Sequence, residues 1–174
     1  AEVLYKHRER FTAGAQESGV PLETANAIFD DWEAFARYGF PKGHAADYGV
    51  IAVQTAYLKA HYLAEYMAAS MSVYKNDTDK VALYCADTRR LGVPVLPPDV
   101  NLSEWDFSIE DRPEGPAIRF GMGAIKNVGH GPVETILAAR RKARFADLND
   151  FARRVDLRQV GKRALESLIK VGAL

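Results

Sequence analysis

The chain of 174 residues is 48% hydrophobic and has no net charge, so it can bury a sizeable core and is not a disordered tail. Its single cysteine, Cys85, excludes an internal disulfide and predicts a reducing, cytoplasmic location. No apolar run reaches the roughly 18 residues of a membrane span and no secretory leader opens the chain, so we expect neither membrane insertion nor secretion. Since the chain starts without Met in helix-like sequence, we expect it to be part of a longer protein.

The neutral total conceals an uneven distribution of charge. Residues 1–117 carry 11 Lys and Arg against 18 Asp and Glu, whereas residues 118–174 carry 12 against 5. A basic C-terminal third is typical of a nucleic-acid contact, because neutralisation of phosphates supplies most non-specific affinity. The alternative is a solvated basic helix face.

Helical patterns dominate the first 92 residues. Apolar spacing, helix caps and terminating glycines predict helices over about 3–18, 21–38, 44–62, 64–74 and 78–91. The third is apolar on most sides, which predicts that neighbouring elements enclose it. None of these apolar stripes indicates a cofactor site.

An extended connector and a β-hairpin are predicted for residues 93–121. The prolines at 94, 97 and 98 cannot continue a helix, because each fixes φ and removes a backbone donor. Apolar and polar residues then alternate on both sides of a turn at 112–116, which is typical of a hairpin.

The most specific local pattern covers residues 124–136, in which Gly129, His130 and Gly131 precede a helix with apolar spacing. This pattern is typical of a helix-hairpin-helix, in which glycines free a hairpin whose N–H groups point outward at a helix start and favour a phosphate. Lys126 lies beside that point. An ordinary αα-corner with glycines for tight packing is the alternative.

Further basic residues extend this candidate surface. A weaker copy of the motif has Gly161 alone, followed by Lys162 and Arg163, whose charges oppose the helix dipole unless an anion is present. Solvated charge explains that pair equally well. The predicted DNA-binding residues are Lys126, Gly129, His130, Gly131, Arg140, Arg141, Lys142, Lys162 and Arg163.

A second candidate site is the loop over residues 38–46, at the start of the third helix. Lys42 is a point charge suited to phosphate, and His44 is suited to donating a hydrogen bond or to capping the helix. An ordinary helix-start loop is the alternative. We predict no catalytic residue and no metal ligand, because the histidines lack ligand spacing and the carboxylates of Asp30 and Asp31 diverge by about 100° on a helix.

Five motifs in register carry a family resemblance, at residues 38–46, 54–62, 96–101, 121–129 and 162–170. On these the chain closely resembles the bacterial DNA polymerase III alpha subunits. The resemblance implies a DNA-directed DNA polymerase whose Mg²⁺ ions are held by aspartates of a palm domain upstream of this segment. It also implies primer–template DNA, deoxynucleoside triphosphates, the sliding clamp and other replisome subunits as partners, and Lys42 and His44 as residues that face the nucleotide or template.

The chain departs from the family pattern at three positions. Asn is common in the family at Pro41, Ser at Gly43 and Pro at Leu63. Error-prone relatives tend to carry Pro at the first of these positions but lack a lysine at the next, so Lys42 favours the replicative group. The family's basic fingers motif would precede Ala1.

The sequence therefore predicts a mainly α fold with a small β-hairpin. We expect the C-terminal part of polymerase fingers over 1–92, a Pro-rich linker with the hairpin over 93–121, and a helix-hairpin-helix DNA-binding lobe over 122–174. The predicted function is non-specific binding of the DNA backbone within a polymerase, with no activity in the isolated segment. A stand-alone helix-hairpin-helix module and a replisome interaction scaffold are the alternatives.

Overall fold

A computed structural model describes residues 6–38 and 41–174, with side chains described over 6–36 and 41–174. Helices in these residues are α1 (Arg8–Glu17), α2 (Leu22–Tyr38), α3 (Lys42–His61), α4 (Leu63–Val73), α5 (Thr78–Arg90), α6 (His130–Arg140), α7 (Leu148–Arg154), α8 (Leu157–Val160) and α9 (Lys162–Lys170). The strands are β1 (Val95–Leu96), β2 (Ser108–Glu110) and β3 (Ala117–Arg119), and Met122–Ala124 forms a 3-10 turn. The predicted mainly α fold with a small β element is confirmed.

Local chemistry fixes several helix ends. Gly19 follows α1 with φ 81° and Gly92 follows α5 with φ 88°, in the left-handed region that glycine adopts without a Cβ penalty. Asp77 caps α5, because its side chain accepts a hydrogen bond from the Lys80 backbone N–H.

The chain divides into two compact units, one up to Thr55 and one over Ala56–Leu174. In the first, α1 packs on α2. The ring centroid of Phe11 lies 5.6 Å from that of Phe29 and 4.8 Å from that of Trp32. Ala25 and Phe29 are buried at this contact, so apolar burial holds the helix pair together.

The predicted enclosure of the third helix is wrong for the described residues. No residue of α3 is buried, and Val53 is 71% exposed. An apolar pattern on all sides shows that a helix can be buried on every face. It does not show whether other parts of the same segment pack against those faces.

The second unit contains two apolar clusters. The sheet cluster joins α4 and α5 to the sheet, and its buried members are Met67, Ala68, Met71, Val81, Cys85, Val95, Phe107 and Ile118. The hairpin cluster lies beneath the helix-hairpin-helix, and its buried members include Met122, Ile125, Val128, Val133, Ile136, Phe151, Val160 and Leu168. Phe120 packs against both clusters, so they are continuous at that side chain.

The sheet has strand order β1-β3-β2. β2 pairs antiparallel with β3, with Ile109 opposite Ile118, which confirms the predicted hairpin. β1 pairs parallel with β3, with Val95 opposite Ile118, and this strand was not predicted. Two residues are too few for alternation to be visible in the sequence, and their partner lies more than twenty positions away.

Residues 93–121 pack as part of the second unit. Val95, Val100, Phe107 and Ile118 are buried there, so the segment between the predicted lobes contributes core residues on both sides. The division into compact units does not test the predicted roles of the three ranges. These were polymerase fingers for 1–92, a linker for 93–121 and a DNA-binding lobe for 122–174. That assignment stays a prediction.

Candidate nucleic-acid interface

The first hairpin occupies the turn between the 3-10 segment and α6. Ile125 and Val128 anchor it in the hairpin cluster, and the N–H of Val128 donates to the Ile125 carbonyl at 3.0 Å. Asn127 takes the left-handed conformation, with φ 67°. Asparagine adopts that region more readily than most residues, so the turn forms without a glycine at its tightest point.

Backbone donors are exposed where α6 begins. Gly129 is the N-cap with no side-chain hydrogen bond, Pro132 has no N–H, and the N–H of Val133 donates back to Gly129. Within the described residues this leaves the N–H groups of His130 and Gly131 without an intramolecular acceptor. Such donors at the positive end of a helix dipole are suited to an anion.

The backbone conformation of the first hairpin does not require its glycines. Gly129 has φ −87°, and Gly131 is helical, so neither needs the conformational freedom of glycine. A Cβ at Gly131 would meet no atom within 4 Å, and at Gly129 the nearest atom is the Pro132 Cδ at 3.9 Å. The fold therefore has room for a Cβ at either position.

Two candidate side chains flank these donors. Lys126 is exposed one residue before the turn. His130 is exposed as well; its Nδ1 lies 3.7 Å from a Glu134 carboxylate oxygen, and its ring meets the Trp105 ring edge-on at 4.8 Å. The structure therefore brings a lysine and a histidine to the same hairpin as the free N–H groups.

The run of basic residues after α6 separates into two groups. Arg141 and Lys142 are exposed. The Arg140 side chain is only 15% exposed, and its guanidinium donates to the carbonyls of Val100 at 3.2 Å and Ser103 at 2.7 Å and pairs with Glu104. Arg140 thus ties α6 to the preceding segment, while its neighbours face solvent.

Arg154, which the sequence did not single out, fixes the loop beyond α6. Its guanidinium donates to the carbonyls of Ala139, Ala143 and Arg144 at 2.6–3.0 Å and to the Asp150 carboxylate at 2.9 Å. A helical i,i+4 spacing of Asp150 and Arg154 is the only sequence signal for this contact.

The pH dependence of the free energy of unfolding should reveal the contribution of the Asp150–Arg154 pair. Hydrogen bonds from Arg154 and from the Ala146 N–H hold the pKa of Asp150 below its usual range. A lowered folded-state pKa stabilises the fold above the unfolded pKa of about 3.9, and this contribution is lost as the pH falls through the folded pKa. Asp150→Asn should therefore lower the free energy of unfolding at pH 7 and approach wild type in acid.

Urea unfolding from pH 7 down to the acid limit of the fold checks this prediction. Asp111→Asn, at an exposed aspartate in the turn of the β-hairpin, is the control for loss of a charge alone. A difference between Asp150→Asn and wild type that persists undiminished in acid would contradict it.

The second hairpin joins α8 to α9 through Gly161. This residue has φ 78°, in the region where a side chain is strained, so glycine is required. Lys162 and Arg163 are exposed at the start of α9, with the Lys162 ammonium 3.8 Å from Glu166. Asp156 caps α8 by accepting from the N–H groups of Arg158 and Gln159.

The two hairpins correspond in sequence and share the hairpin cluster. Gly129 and Gly161 each follow a buried valine, Val128 and Val160, and each precedes a helix packed on the hairpin cluster. The Asn127 side chain donates to the Ser167 hydroxyl at 3.4 Å, which places α9 beside the first hairpin. The candidate residues of both hairpins therefore belong to one packed body.

Lys42 and His44 lie at the start of α3, both exposed, and the His44 ring is 4.3 Å from the Tyr48 ring. Gly39 and Phe40, in the same predicted loop, lie outside the described residues. Since Lys42 and His44 belong to the first unit, they are described apart from the hairpins.

Metal clusters and membrane-spanning helices are both absent from the described residues. No group of three or more His, Cys, Asp or Glu side chains is placed to hold a metal ion there. Among the helices of the same residues, none has the length and apolar character needed to cross a bilayer.

Comparison with known proteins identifies relatives of the whole chain. A family model described as a helix-hairpin-helix motif matches residues 92–174. Proteins named DNA polymerase III subunit alpha are 55% identical in Thermus aquaticus and 47% identical in Deinococcus radiodurans and in Vibrio cholerae, each over 99% of this chain. The chain spans only 13–15% of the length of these relatives.

Proposed function

We propose that this chain, a member of the bacterial DNA polymerase III alpha subunit family that matches one segment of it, binds the backbone of duplex DNA within a replicative DNA polymerase. One observation carries the proposal: the N–H groups of His130 and Gly131 have no intramolecular acceptor among the described residues, and both residues are exposed at the start of α6. Backbone donors at a helix start read phosphate and not base sequence, so the binding is non-specific.

Charge supports the same surface. Residues 118–174 carry 12 Lys and Arg against 5 Asp and Glu. In this proposal Lys126 and His130 flank the first hairpin, Arg141 and Lys142 lie at the other end of α6, and Lys162 and Arg163 extend the contact at the second hairpin. Arg140 is assigned to packing, because its guanidinium is engaged with Val100, Ser103 and Glu104.

The metal-dependent chemistry belongs elsewhere in this proposal. The segment contributes structure and DNA contacts, and the Mg²⁺ ions of nucleotide transfer are held by aspartates of a palm domain outside it. Lys42 and His44 are our candidates for facing the deoxynucleoside triphosphate or the template strand. The sliding clamp and other replisome subunits would contact the longer chain, in the cytoplasm.

Two other functions fit the chain less well. A stand-alone helix-hairpin-helix module would not share 55% identity across residues that precede the motif. A scaffold that contacts only replisome proteins does not account for the excess of Lys and Arg over Asp and Glu in residues 118–174.

A salt titration tests the proposed function. The chain should bind duplexes of unrelated sequence with similar affinity, on the order of 10⁻⁴–10⁻⁶ M at physiological salt, and log K should fall linearly as log salt rises. Lys126→Ala should weaken binding to every duplex about equally. It should also reduce the magnitude of the slope of log K against log salt by roughly one.

Fluorescence anisotropy with two labelled duplexes of different sequence measures both quantities. Asn149→Ala, at an exposed uncharged position of α7, is the control for substitution in the same lobe. Absence of salt-dependent binding in the wild-type chain would reject DNA binding and favour the scaffold.

A further inference from the structure

A cavity of about 520 Å³ lies between the first hairpin and the turn from α4 to α5. On the hairpin side it is lined by Lys126, Asn127 and Gly129, and on the opposite side by Lys75, Asn76 and Thr78. The sequence indicates no role for the α4–α5 turn beyond capping a helix. The structure places that turn beside the hairpin proposed to bind phosphate.

The chemistry of this lining suits an anion. Its side chains include two lysines, two asparagine amides and a threonine hydroxyl; the lining itself has no carboxylate, and Asp106 beside it pairs with Lys75. The larger cavity among α6, α7 and α8, of about 850 Å³, is lined by three basic residues and by two carboxylates, those of Glu134 and Asp156. A phosphate would therefore meet no carboxylate in the lining of the smaller cavity and two in the lining of the larger one.

Lys75 is fixed at this cavity instead of extending freely into solvent. Its side chain is 20% exposed, and its ammonium lies 2.8 Å from an Asp106 carboxylate oxygen, 3.3 Å from the Ser72 carbonyl and 5.5 Å from the centre of the Trp105 ring. A positioned ammonium loses less side-chain entropy on binding than a mobile one.

Other residues on both sides of the cavity are also held in place. Asn127 is fixed in its left-handed conformation, with its amide donating to Ser167. Asn76 and Thr78 are exposed at the cavity, and Thr78 is the first residue of α5, whose start is capped by Asp77. Both walls therefore exist before any ligand arrives.

We propose that this cavity binds a second phosphate of the DNA backbone, next to the phosphate at His130 and Gly131, so that the bound strand runs from the first hairpin onto the α4–α5 turn. This inference rests on the proposed function, because the hairpin residues Lys126 and Gly129 serve both sites. It adds Lys75, Asn76 and Thr78 to the DNA contact, none of which belongs to either hairpin.

Asn76→Asp tests the second site with an isosteric change that adds one negative charge. Duplex affinity should fall about fivefold or more, since a carboxylate would face the bound phosphate. Asn149→Asp makes the same isosteric change at an exposed position of the same unit, and its effect should stay below about twofold. Thr78→Asp is a second variant that the fold accepts, because an acidic residue in the first turn of a helix is favourable.

Binding is measured by anisotropy, with circular dichroism to confirm folding. The loss in Asn76→Asp should shrink when Lys126→Ala is also present, because both residues then act on one bound strand segment. Equal duplex affinities for Asn76→Asp, Thr78→Asp and Asn149→Asp would overturn this inference. If the wild-type chain still binds duplex, the proposed function would stand. A wild-type chain that fails to bind duplex would reject both.

Discussion

Gly131→Val should weaken duplex binding by about tenfold or more while the chain stays folded. The free N–H of Gly131 needs close approach of a phosphate, and the added isopropyl group would stand in that path. Loss of one hydrogen bond to a charged group costs roughly 1.5–3 kcal/mol, and about 1.4 kcal/mol is a factor of ten in affinity. Because a Cβ at this position meets no atom within 4 Å, the fold itself has room for the side chain.

A matched control separates this effect from a general effect of valine in a helix. Gly14 lies in α1, and a Cβ there would also meet no atom within 4 Å. Gly14→Val should bind duplex as the wild type does. Anisotropy titrations at one salt concentration, with circular dichroism of each variant, measure the outcome. Undiminished binding by folded Gly131→Val would make the hairpin a packing element and place DNA elsewhere.

Much of the fold follows from local sequence signals. The helix ends near 18 and 91, the capped helix start at 78 and the β2–β3 hairpin were all predicted, because each depends on a few adjacent residues. β1 was missed, since a two-residue strand depends on a partner far along the chain. Burial of α3 was predicted wrongly, because the apolar pattern of a helix does not show which other elements pack against it.

The position of the candidate site was predictable from its motif, but the residue that forms its turn and the contacts around it were not. Sequence placed the hairpin at residues 124–136, yet it assigned the turn to glycine, whereas Asn127 has the positive φ. The α4–α5 turn could not be linked to the hairpin, because nearly fifty residues separate Asn76 from Lys126. Adjacent basic residues at a helix end differ by about 100° in direction, so the basic run at 140–142 did not reveal which side chain turns inward.

Arg140→Ala should destabilise the second unit by about 2–4 kcal/mol. The guanidinium donates to the carbonyls of Val100 and Ser103, and both of these residues are buried. Removing it leaves two buried acceptors without this donor and also breaks the pair with Glu104. Each buried unsatisfied polar group costs about 1–3 kcal/mol, so the loss exceeds that of an exposed charge.

Arg141→Ala is the matched control, one residue further along and exposed. It should change the free energy of unfolding by no more than about 0.5 kcal/mol and should weaken duplex binding, whereas folded Arg140→Ala should bind as the wild type does. Urea unfolding followed by tryptophan fluorescence in a Trp32→Phe background reports on Trp105, in the same unit. A stable Arg140→Ala variant with weakened DNA binding would reverse the assignment and return Arg140 to the DNA surface.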